Sequence, residues 1–314
     1  MTATAPTCVR ISRALASADV PRRIRELEIR PCPYRSSFPI HELEVTFTDG
    51  STASLVAKQV DRAPLTPSGR PVKPDLLHDA PREVRVYETL LAPADVGTAA
   101  FHGAADGLLL LEKVDATPLW QVDDLEVWCA VARWLAGFHR RFGTLEDEQA
   151  RAATLIRYDR RFLSVWLERA RSFVPYGALD RIVRAHETAV ERLASMPQTL
   201  VHGELYPSNV LVAAGSTGIR VCPIDWETAG IGPGVVDLAA LATGWSSAAA
   251  DLLAEAYREE AADADGQAFA QALRCSRLHL AVRWLGWSQA WSPPPEHRHD
   301  WLAEALRLAG EIDG

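Results

Sequence analysis

The sequence contains little cysteine and no uninterrupted apolar run as long as a membrane-spanning helix requires. We therefore expect no insertion into a membrane. The first ten residues lack the apolar stretch of a secretory signal, so the cytoplasm is the expected location. The five cysteines are scattered, without the paired spacing of a zinc site or a disulfide framework. We expect each to be a reduced thiol: Cys8, Cys32, Cys129, Cys222 and Cys275.

An excess of positive charge is also missing. The 314 residues carry a net charge of −8, which argues against a nucleic-acid partner and would suit a cationic substrate. Hydrophobic residues make up 48% of the chain and charged residues 24%, as in a globular protein with one or two cores. Three kinase signatures are absent as well: the Gly-x-Gly-x-x-Gly loop, Asp-Phe-Gly and Ala-Pro-Glu.

Near residue 200 the sequence contains a polar loop that is flanked by short apolar runs. The loop His202–Asn209 holds Glu204 and, five positions later, Asn209. Two further apolar runs around a Gly/Ser turn form a hairpin pattern over 210–224, and Asp225 stands where it ends. Such a set suits phosphoryl transfer, which needs a carboxylate near the attacking hydroxyl and oxygen ligands for magnesium. These are also ordinary turn residues, but the whole string with its spacing favours a site.

This stretch resembles the catalytic core of the aminoglycoside phosphotransferase and choline kinase group. The family pattern is His-Gly-Asp, an Asn five residues after the Asp, an apolar strand, Ile-Asp-Trp-Glu, and then Gly-Pro and Asp. The sequence departs from it at the central position, where Glu204 replaces the expected Asp. The matching positions are His202-Gly203, Asn209, Ile224–Glu227, Gly232-Pro233 and Asp237.

The resemblance implies an α+β, bilobal, protein-kinase-like fold. Residues 1–114 would form the N-lobe, a nucleotide-binding sheet with one main helix. Residues 115–314 would form the C-lobe, with the catalytic loop, the metal site and the substrate-binding helices. ATP and Mg²⁺ are the implied cofactors, and the implied partner is a small molecule with a hydroxyl group. A protein or peptide partner stays open, and the sequence does not indicate an oligomeric state.

Two strands and a helix are predicted in the N-lobe. Alternating apolar residues over His41–Thr48 and an apolar run within Ser51–Val60 predict a hairpin around Asp49-Gly50. The segment 81–91, with a proline in its first turn and one apolar face, predicts a helix. A lone Lys58 would usually be a surface residue. The resemblance implies instead that it grips the α- and β-phosphates and that Glu83 pairs with it.

Other nucleotide contacts follow from the resemblance alone. The loop that covers the phosphates corresponds to 35–38, which has no glycine, so Ser36 and Ser37 would donate amide and hydroxyl hydrogen bonds there. The strand Leu108–Leu111 leads into Glu112 and Val114, whose backbone groups would hold the adenine. The long segment 61–80 between these elements, with four prolines, is a tolerated insertion or a functional loop.

The C-lobe carries a histidine and tryptophans that have two interpretations each. His139, near the end of a predicted helix over 124–142, is a catalytic base or, as we favour, a structural residue beneath the catalytic loop. Trp284, Trp287 and Trp291 share a helix face, as an aromatic wall for a cationic substrate or, as we favour, as core. We expect five arginines to lie on solvated helix faces: Arg157, Arg160, Arg161, Arg169 and Arg171.

The implied chemistry is transfer of the ATP γ-phosphate to an alcohol. Asn209 and Asp225 would hold the metal, Glu204 would orient the acceptor hydroxyl and accept its proton, and His202 would brace the loop. The acceptor would be an aminoglycoside-like antibiotic, an amino alcohol or a natural-product intermediate. The alternative is a catalytically impaired, kinase-like partner protein that binds a nucleotide or a peptide, because Glu204 replaces the expected Asp and a carboxylate displaced by about 1 Å can cost about a hundredfold in rate.

Overall fold

A five-stranded antiparallel sheet forms the N-terminal part of the chain in a computed structural model, with strand order β1-β2-β3-β5-β4. The model describes residues 5–17, 23–32, 38–60, 74–79, 81–215, 218–261, 265–287 and 299–313. Ser36, Ser37, most of the segment 61–80, and Trp291 lie outside these ranges. The strands are β1 Ile24–Pro31, β2 Ile40–Phe47, β3 Thr52–Gln59, β4 Phe101–Ala105 and β5 Leu108–Glu112.

The predicted hairpin of β2 and β3 is confirmed. The alternation of buried and partly exposed side chains explains strand β2. Leu43, Val45 and Phe47 of β2 are buried, while the residues between them are partly exposed. The buried side chains pack with β5 and with helix α1, Ala5–Ser17, in one apolar cluster. Strand β1 was not predicted, because its side chains are mostly exposed and a register shift after Ile24 interrupts the alternation.

The predicted helix over 81–91 is confirmed, with an irregularity. It begins as α2, Arg82–Val86, widens into a π-turn over Tyr87–Leu91 and ends with the short α3, Ala92–Ala94. Pro93 has no N–H to donate to the carbonyl four residues earlier, and its ring would clash with that carbonyl. The wider turn just before Pro93 relieves this clash.

Helices dominate the rest of the chain, as the α+β, bilobal, kinase-like prediction requires. Two three-stranded sheets accompany them, in the orders β10-β9-β6 and β7-β11-β8. None of the helices in the described ranges is long and apolar enough to cross a membrane. The helices are α4 Leu125–Arg141, α5 Asp147–Ala152, α6 Arg160–Ala170, α7 Tyr176–Ser195, α8 Val235–Leu241, α9 Ser247–Ala261, α10 Gly266–Leu285 and α11 Trp301–Asp313. The strands are β6 Thr117–Pro118, β7 Ile156–Arg157, β8 Thr199–Val201, β9 Val210–Gly215, β10 Gly218–Pro223 and β11 Gly230–Gly232.

One apolar cluster joins the sheet to the helical part, and we call it the bridging cluster. Its members on the N-terminal side come from the helix over 82–91 and from β5, and those on the other side from α4, β8 and the hairpin end. Most are buried to more than nine-tenths, so the two parts share a core. The bridging cluster includes Val86, Tyr87, Leu90, Leu91, Leu109, Leu111, Phe138, Phe142, Leu200, Cys222 and Trp226.

Candidate active site

Lys58 lies at the centre of a charged cluster at the junction of the sheet and the helical part. Its Nζ is 2.6 Å from Oε2 of Glu83 and 2.5 Å from Oδ1 of Asp225. Strand β3 carries the lysine, α2 carries the glutamate, and the end of the β9–β10 hairpin carries the aspartate. The structure therefore brings together three predicted site residues that are far apart in the sequence.

Burial and charge act against each other in this cluster. Burial disfavours the Lys58 ammonium, but Asp225 and Glu83 outweigh that effect, so the pKa of Lys58 is raised. Burial raises the pKa of Glu83 to about 7 in spite of the lysine beside it. The backbone N–H of Trp226 also donates to Oε1 of Glu83, at 3.3 Å. The Lys58 ammonium is therefore charged at neutral pH and held from two sides.

Asp237 on α8 holds the start of the 202–209 loop in place. Its Oδ2 accepts from the N–H of His202 at 2.7 Å, and its Oδ1 accepts from the N–H of Gly203 at 2.8 Å. His139 lies beneath them, with Nε2 3.3 Å from Oδ2 of Asp237 and Nδ1 2.8 Å from the Tyr257 hydroxyl. The preferred interpretation of His139, as a structural residue beneath the loop, fits this buried position.

The side chain of His202 contacts the segment that carries Asp225. Its Nε2 is 2.8 Å from the carbonyl oxygen of Ile224, the residue before Asp225. Burial lowers the pKa of His202, which favours the neutral ring. The ring also packs at 4.6 Å from that of Trp226. These contacts place His202 between the 202–209 loop and the segment that carries Asp225.

Asn209 and Asp225 lie at neighbouring points of the backbone. The N–H of Ile224 donates to the carbonyl oxygen of Asn209 at 2.9 Å, and the Asn209 amide donates to the carbonyl oxygen of Glu204 at 2.9 Å. Asp225 has a left-handed backbone, with φ of 69° and ψ of 59°, which is unusual for a residue other than glycine. Carboxylate and amide oxygens are ligands that suit Mg²⁺, so the donor set fits this metal.

Glu204 has a partner that the sequence did not reveal. Nη2 of Arg283, near the end of α10, donates to Oε1 of Glu204 at 2.9 Å. Nη1 of the same arginine donates to the carbonyl oxygen of Gly203 at 2.5 Å. The available signal was a single charged residue in the otherwise apolar stretch 280–287. Its partner is 79 residues away in the sequence, so no local pattern could identify it.

The residues predicted to hold adenine lie at the end of β5. The backbone N–H of Glu112 donates to Ala100 within the sheet, at 2.9 Å, so that donor is engaged. The Glu112 carboxylate accepts two hydrogen bonds from Arg220 of β10, at 2.7 and 2.8 Å. Among the hydrogen bonds of the described residues, none involves the backbone of Val114. Val114 is therefore the better placed of the two to offer backbone groups to a ligand.

Aromatic rings surround the end of α10, and the favoured core interpretation fits them. Trp287 is buried and stacks on Trp166 at 5.8 Å, while Trp284 stacks on Trp301 at 5.7 Å. Both Trp284 and Trp287 belong to the main core of the helical part or pack against it.

The prediction for the five arginines needs two corrections. Arg160 and Arg161 of α6 and Arg171 at its end are exposed, as predicted, whereas Arg157 is exposed but lies on strand β7 and not on a helix. Arg169 is half-buried, and the prediction that it lies on a solvated face is wrong. It donates to the carbonyl oxygens of Gly286 and Trp287, just after the end of α10, where the last carbonyls of a helix have no partner within the helix.

The sheet, the helical part and the charged cluster between them define a protein with a protein-kinase-like fold. A family model described as the phosphotransferase enzyme family matches residues 45–273, and the chain belongs to this family. A comparison with curated proteins finds no match.

Solved structures of low sequence identity share the fold. The macrolide 2′-phosphotransferase of Brachybacterium faecium is 18% identical, with 98% of each chain covered and a TM-score of 0.61. The choline kinase of Cryptosporidium parvum is 14% identical, with 98% of this chain and 94% of that chain covered and a TM-score of 0.63. The ethanolamine kinase of Plasmodium vivax is 12% identical, with coverages of 94% and 84% and a TM-score of 0.62.

Proposed function

We propose that this protein transfers the γ-phosphate of ATP to a hydroxyl group of a small molecule. The observation that carries the proposal is the position of Lys58 between Glu83 and Asp225, at 2.6 and 2.5 Å. A lysine held in this way is a charged donor in a fixed place, which is what binding of anionic phosphates needs. Membership of a phosphotransferase family supports the same chemistry.

Each nucleotide-binding role is assigned to a named residue. Lys58 binds the α- and β-phosphates, and Glu83 holds the lysine in place. Val114, together with Glu112, offers backbone groups to the adenine, and Ser36 and Ser37 bind phosphate oxygens. Asn209 and Asp225 hold Mg²⁺, which when bound neutralises the charge that develops on the phosphates. The boundary between the N-lobe and the C-lobe falls at residues 114 and 115.

Glu204 acts on the acceptor. It orients the attacking hydroxyl and takes up its proton, while His202 and Asp237 keep the 202–209 loop in place from below. Phosphoryl transfer depends chiefly on position and charge stabilisation, so a longer carboxylate side chain can serve if it is held in place. The acceptors to test first are amino alcohols, aminoglycosides and macrolides, because the solved structures similar to this chain include a choline kinase, a kanamycin complex and a macrolide 2′-phosphotransferase.

The test is thermal stability in the presence of ATP, with and without Mg²⁺. We expect ATP with Mg²⁺ to raise the melting temperature of the wild type, and Asp225→Ala to remove the part that depends on magnesium. Asp251→Ala, an exposed aspartate of α9, is the matched control and should keep the full increase. Turnover is then measured as ADP release with each class of hydroxyl acceptor, and Asp225→Ala should abolish it.

The outcomes separate the proposal from the binding-protein alternative. ADP release that depends on Mg²⁺ and on an acceptor would support the phosphotransferase. A magnesium-dependent stability increase without turnover on any acceptor would favour a catalytically impaired binding protein. No stability increase with any nucleotide would contradict the phosphotransferase and would leave a peptide-binding partner protein as the interpretation to test.

A further inference from the structure

Arg283 is a buried arginine whose contacts lead to the 202–209 loop. It is 4% exposed, and its guanidinium lies 5.3 Å from the ring centroids of both Trp166 and Trp287. Its two terminal nitrogens donate to consecutive residues of the loop, the carbonyl oxygen of Gly203 and the carboxylate of Glu204. This arginine therefore fixes both the backbone and the side chain at the position where the sequence departs from the family pattern.

A buried guanidinium lowers the stability of the folded state unless a carboxylate compensates its charge. Moving a cation out of water requires good hydrogen bonds and an opposite charge nearby. Glu204, with its side chain 12% exposed, supplies that charge at 2.9 Å. The two tryptophan rings also stabilise the cation through their faces. The pair is thus a buried unit in which each partner depends on the other.

The length of the residue 204 side chain decides whether the pair forms. Aspartate is shorter than glutamate by one C–C bond, about 1.5 Å. On this backbone, a shortening of that size would lengthen the 2.9 Å hydrogen bond by up to about 1.5 Å, to at most roughly 4.4 Å, which is beyond hydrogen-bonding distance. Arg283 itself has little room to follow, because it is buried against the stacked pair of Trp166 and Trp287 and donates to the carbonyl oxygen of Gly203. The buried arginine therefore selects glutamate at this position.

We propose that Arg283 is a positioning residue for Glu204, and that the pair together takes the place of the aspartate in the family pattern. The inference rests on the proposed phosphotransferase function. It has an unusual consequence: Glu204→Asp, which restores the residue expected from the family pattern, lowers activity instead of raising it. Arg283 itself does not contact the acceptor hydroxyl but keeps the carboxylate of Glu204 where the hydroxyl binds.

The experiment compares kcat and the KM for ATP in Glu204→Asp, Arg283→Lys, Arg283→Met and a matched control. The control is Arg169→Met, because Arg169 also lies over Trp166, at 5.9 Å, and also donates to two backbone carbonyls, but does not contact Glu204. We expect kcat to fall about 100-fold in Glu204→Asp and in Arg283→Met, as for a misplacement of about 1 Å. The KM for ATP should stay within about twofold, since Lys58 and Asp225 are untouched.

Two further results test positioning against a merely structural role. Arg283→Lys keeps a cation and should retain more kcat than Arg283→Met, and Arg169→Met should keep kcat within about threefold of the wild type. The double variant Glu204→Asp with Arg283→Met should be no slower than the slower single variant, because both changes break the same contact. If Arg283→Met does not fold, Glu204→Asp and Arg283→Lys carry the test.

The outcomes distinguish failure of this inference from failure of the proposed function. If the wild type turns over ATP and Glu204→Asp is as active or more active, the inference is overturned while the function stands. Equal losses in Arg283→Met and Arg169→Met, or a large rise in the KM for ATP, would also overturn it. A wild type without turnover on any acceptor would contradict the function and, with it, the positioning role.

Discussion

Replacement of Lys58 by Met would remove the cation that holds two carboxylates together at the junction of the sheet and the helical part. Nζ of Lys58 contacts Glu83 at 2.6 Å and Asp225 at 2.5 Å, and the side chain of Glu83 is only 3% exposed. Met preserves most of the apolar volume of the lysine stem, so the change isolates the loss of charge. After the substitution, the charge of Glu83 would remain where water solvates it poorly.

The expected loss follows from burial and from pH. Removal of one partner of a buried ion pair costs about 3–5 kcal/mol of unfolding free energy. Burial raises the pKa of Glu83 to about 7, from an ordinary value of 4.5. A carboxylate whose pKa is raised by folding stabilises the folded state when the pH is below the pKa of the unfolded chain. This contribution is lost as the pH rises through the pKa of the folded state. Without Lys58 the Glu83 pKa rises further, so Lys58→Met should destabilise the protein more at pH 8 than at pH 5, where the lost contact with Asp225 still contributes.

Urea unfolding followed by tryptophan fluorescence at both pH values measures this difference. Lys113→Met is the matched control on the same sheet. Lys113 pairs with Glu42 at 2.8 Å and with Glu44 at 3.4 Å, but its side chain is 35% exposed. Its removal should cost less than about 1 kcal/mol, as is typical of exposed pairs.

Two results would refute the reasoning about Lys58. One is a loss of stability in Lys58→Met that is equal at pH 5 and pH 8. The other is a loss no larger than that of the Lys113 control. The double variant Lys58→Met with Glu83→Gln should recover part of the lost stability at pH 8, because it removes the stranded charge.

Three other substitutions test the 202–209 loop, a buried histidine and the junction of the two parts. Gly203→Ala should abolish ADP release, because φ is +81° and the added Cβ would lie 2.7 Å from a carbonyl oxygen. His186→Phe should flatten the fall in stability, measured by urea unfolding, from pH 6.5 to 4, because burial lowers the His186 pKa to about 4 and only the unfolded chain takes up the proton. Arg220→Ala should speed hydrogen exchange at the Ala100 amide, which donates to the Glu112 carboxylate that Arg220 holds.

The parts of the fold with a regular local pattern could be predicted from the sequence. Strand β2 alternates cleanly, β3 contains an apolar run, and the helix over 82–91 has one apolar face, so each carries its own signal. Strands β1 and β4 each contain a register shift, in β4 between Phe101 and Gly103, and the alternation fails there. Pro93 signals an interruption of the helix, but the residues of the π-turn before it have ordinary helical composition, so the form of the irregularity could not be predicted.

The candidate site also contains both residues that could be predicted from the sequence and one that could not. Glu83, Asn209 and Asp225 could be proposed because each stands in a short motif with fixed spacing, and Lys58 because the family resemblance gives a role to a lysine at the end of this strand. Arg283 could not, because its importance comes from two tryptophan rings and a glutamate that the fold brings to it from distant segments. A buried ion pair formed across 79 residues depends on tertiary structure and has no period in the sequence.

The bridging cluster limits how this chain can be recombined with its relatives. Apolar side chains from the helix over 82–91 and from β5 share one core with Phe138, Leu200 and Trp226. A chimera joined after residue 114 would place these side chains against partners shaped for another sequence, with voids or overlaps as the result. A crossover that exchanges the bridging cluster as a block, with the helix and β5 together, would keep the core matched. Recombination within this fold should therefore follow the shared core and not the proposed lobe boundary at residues 114 and 115.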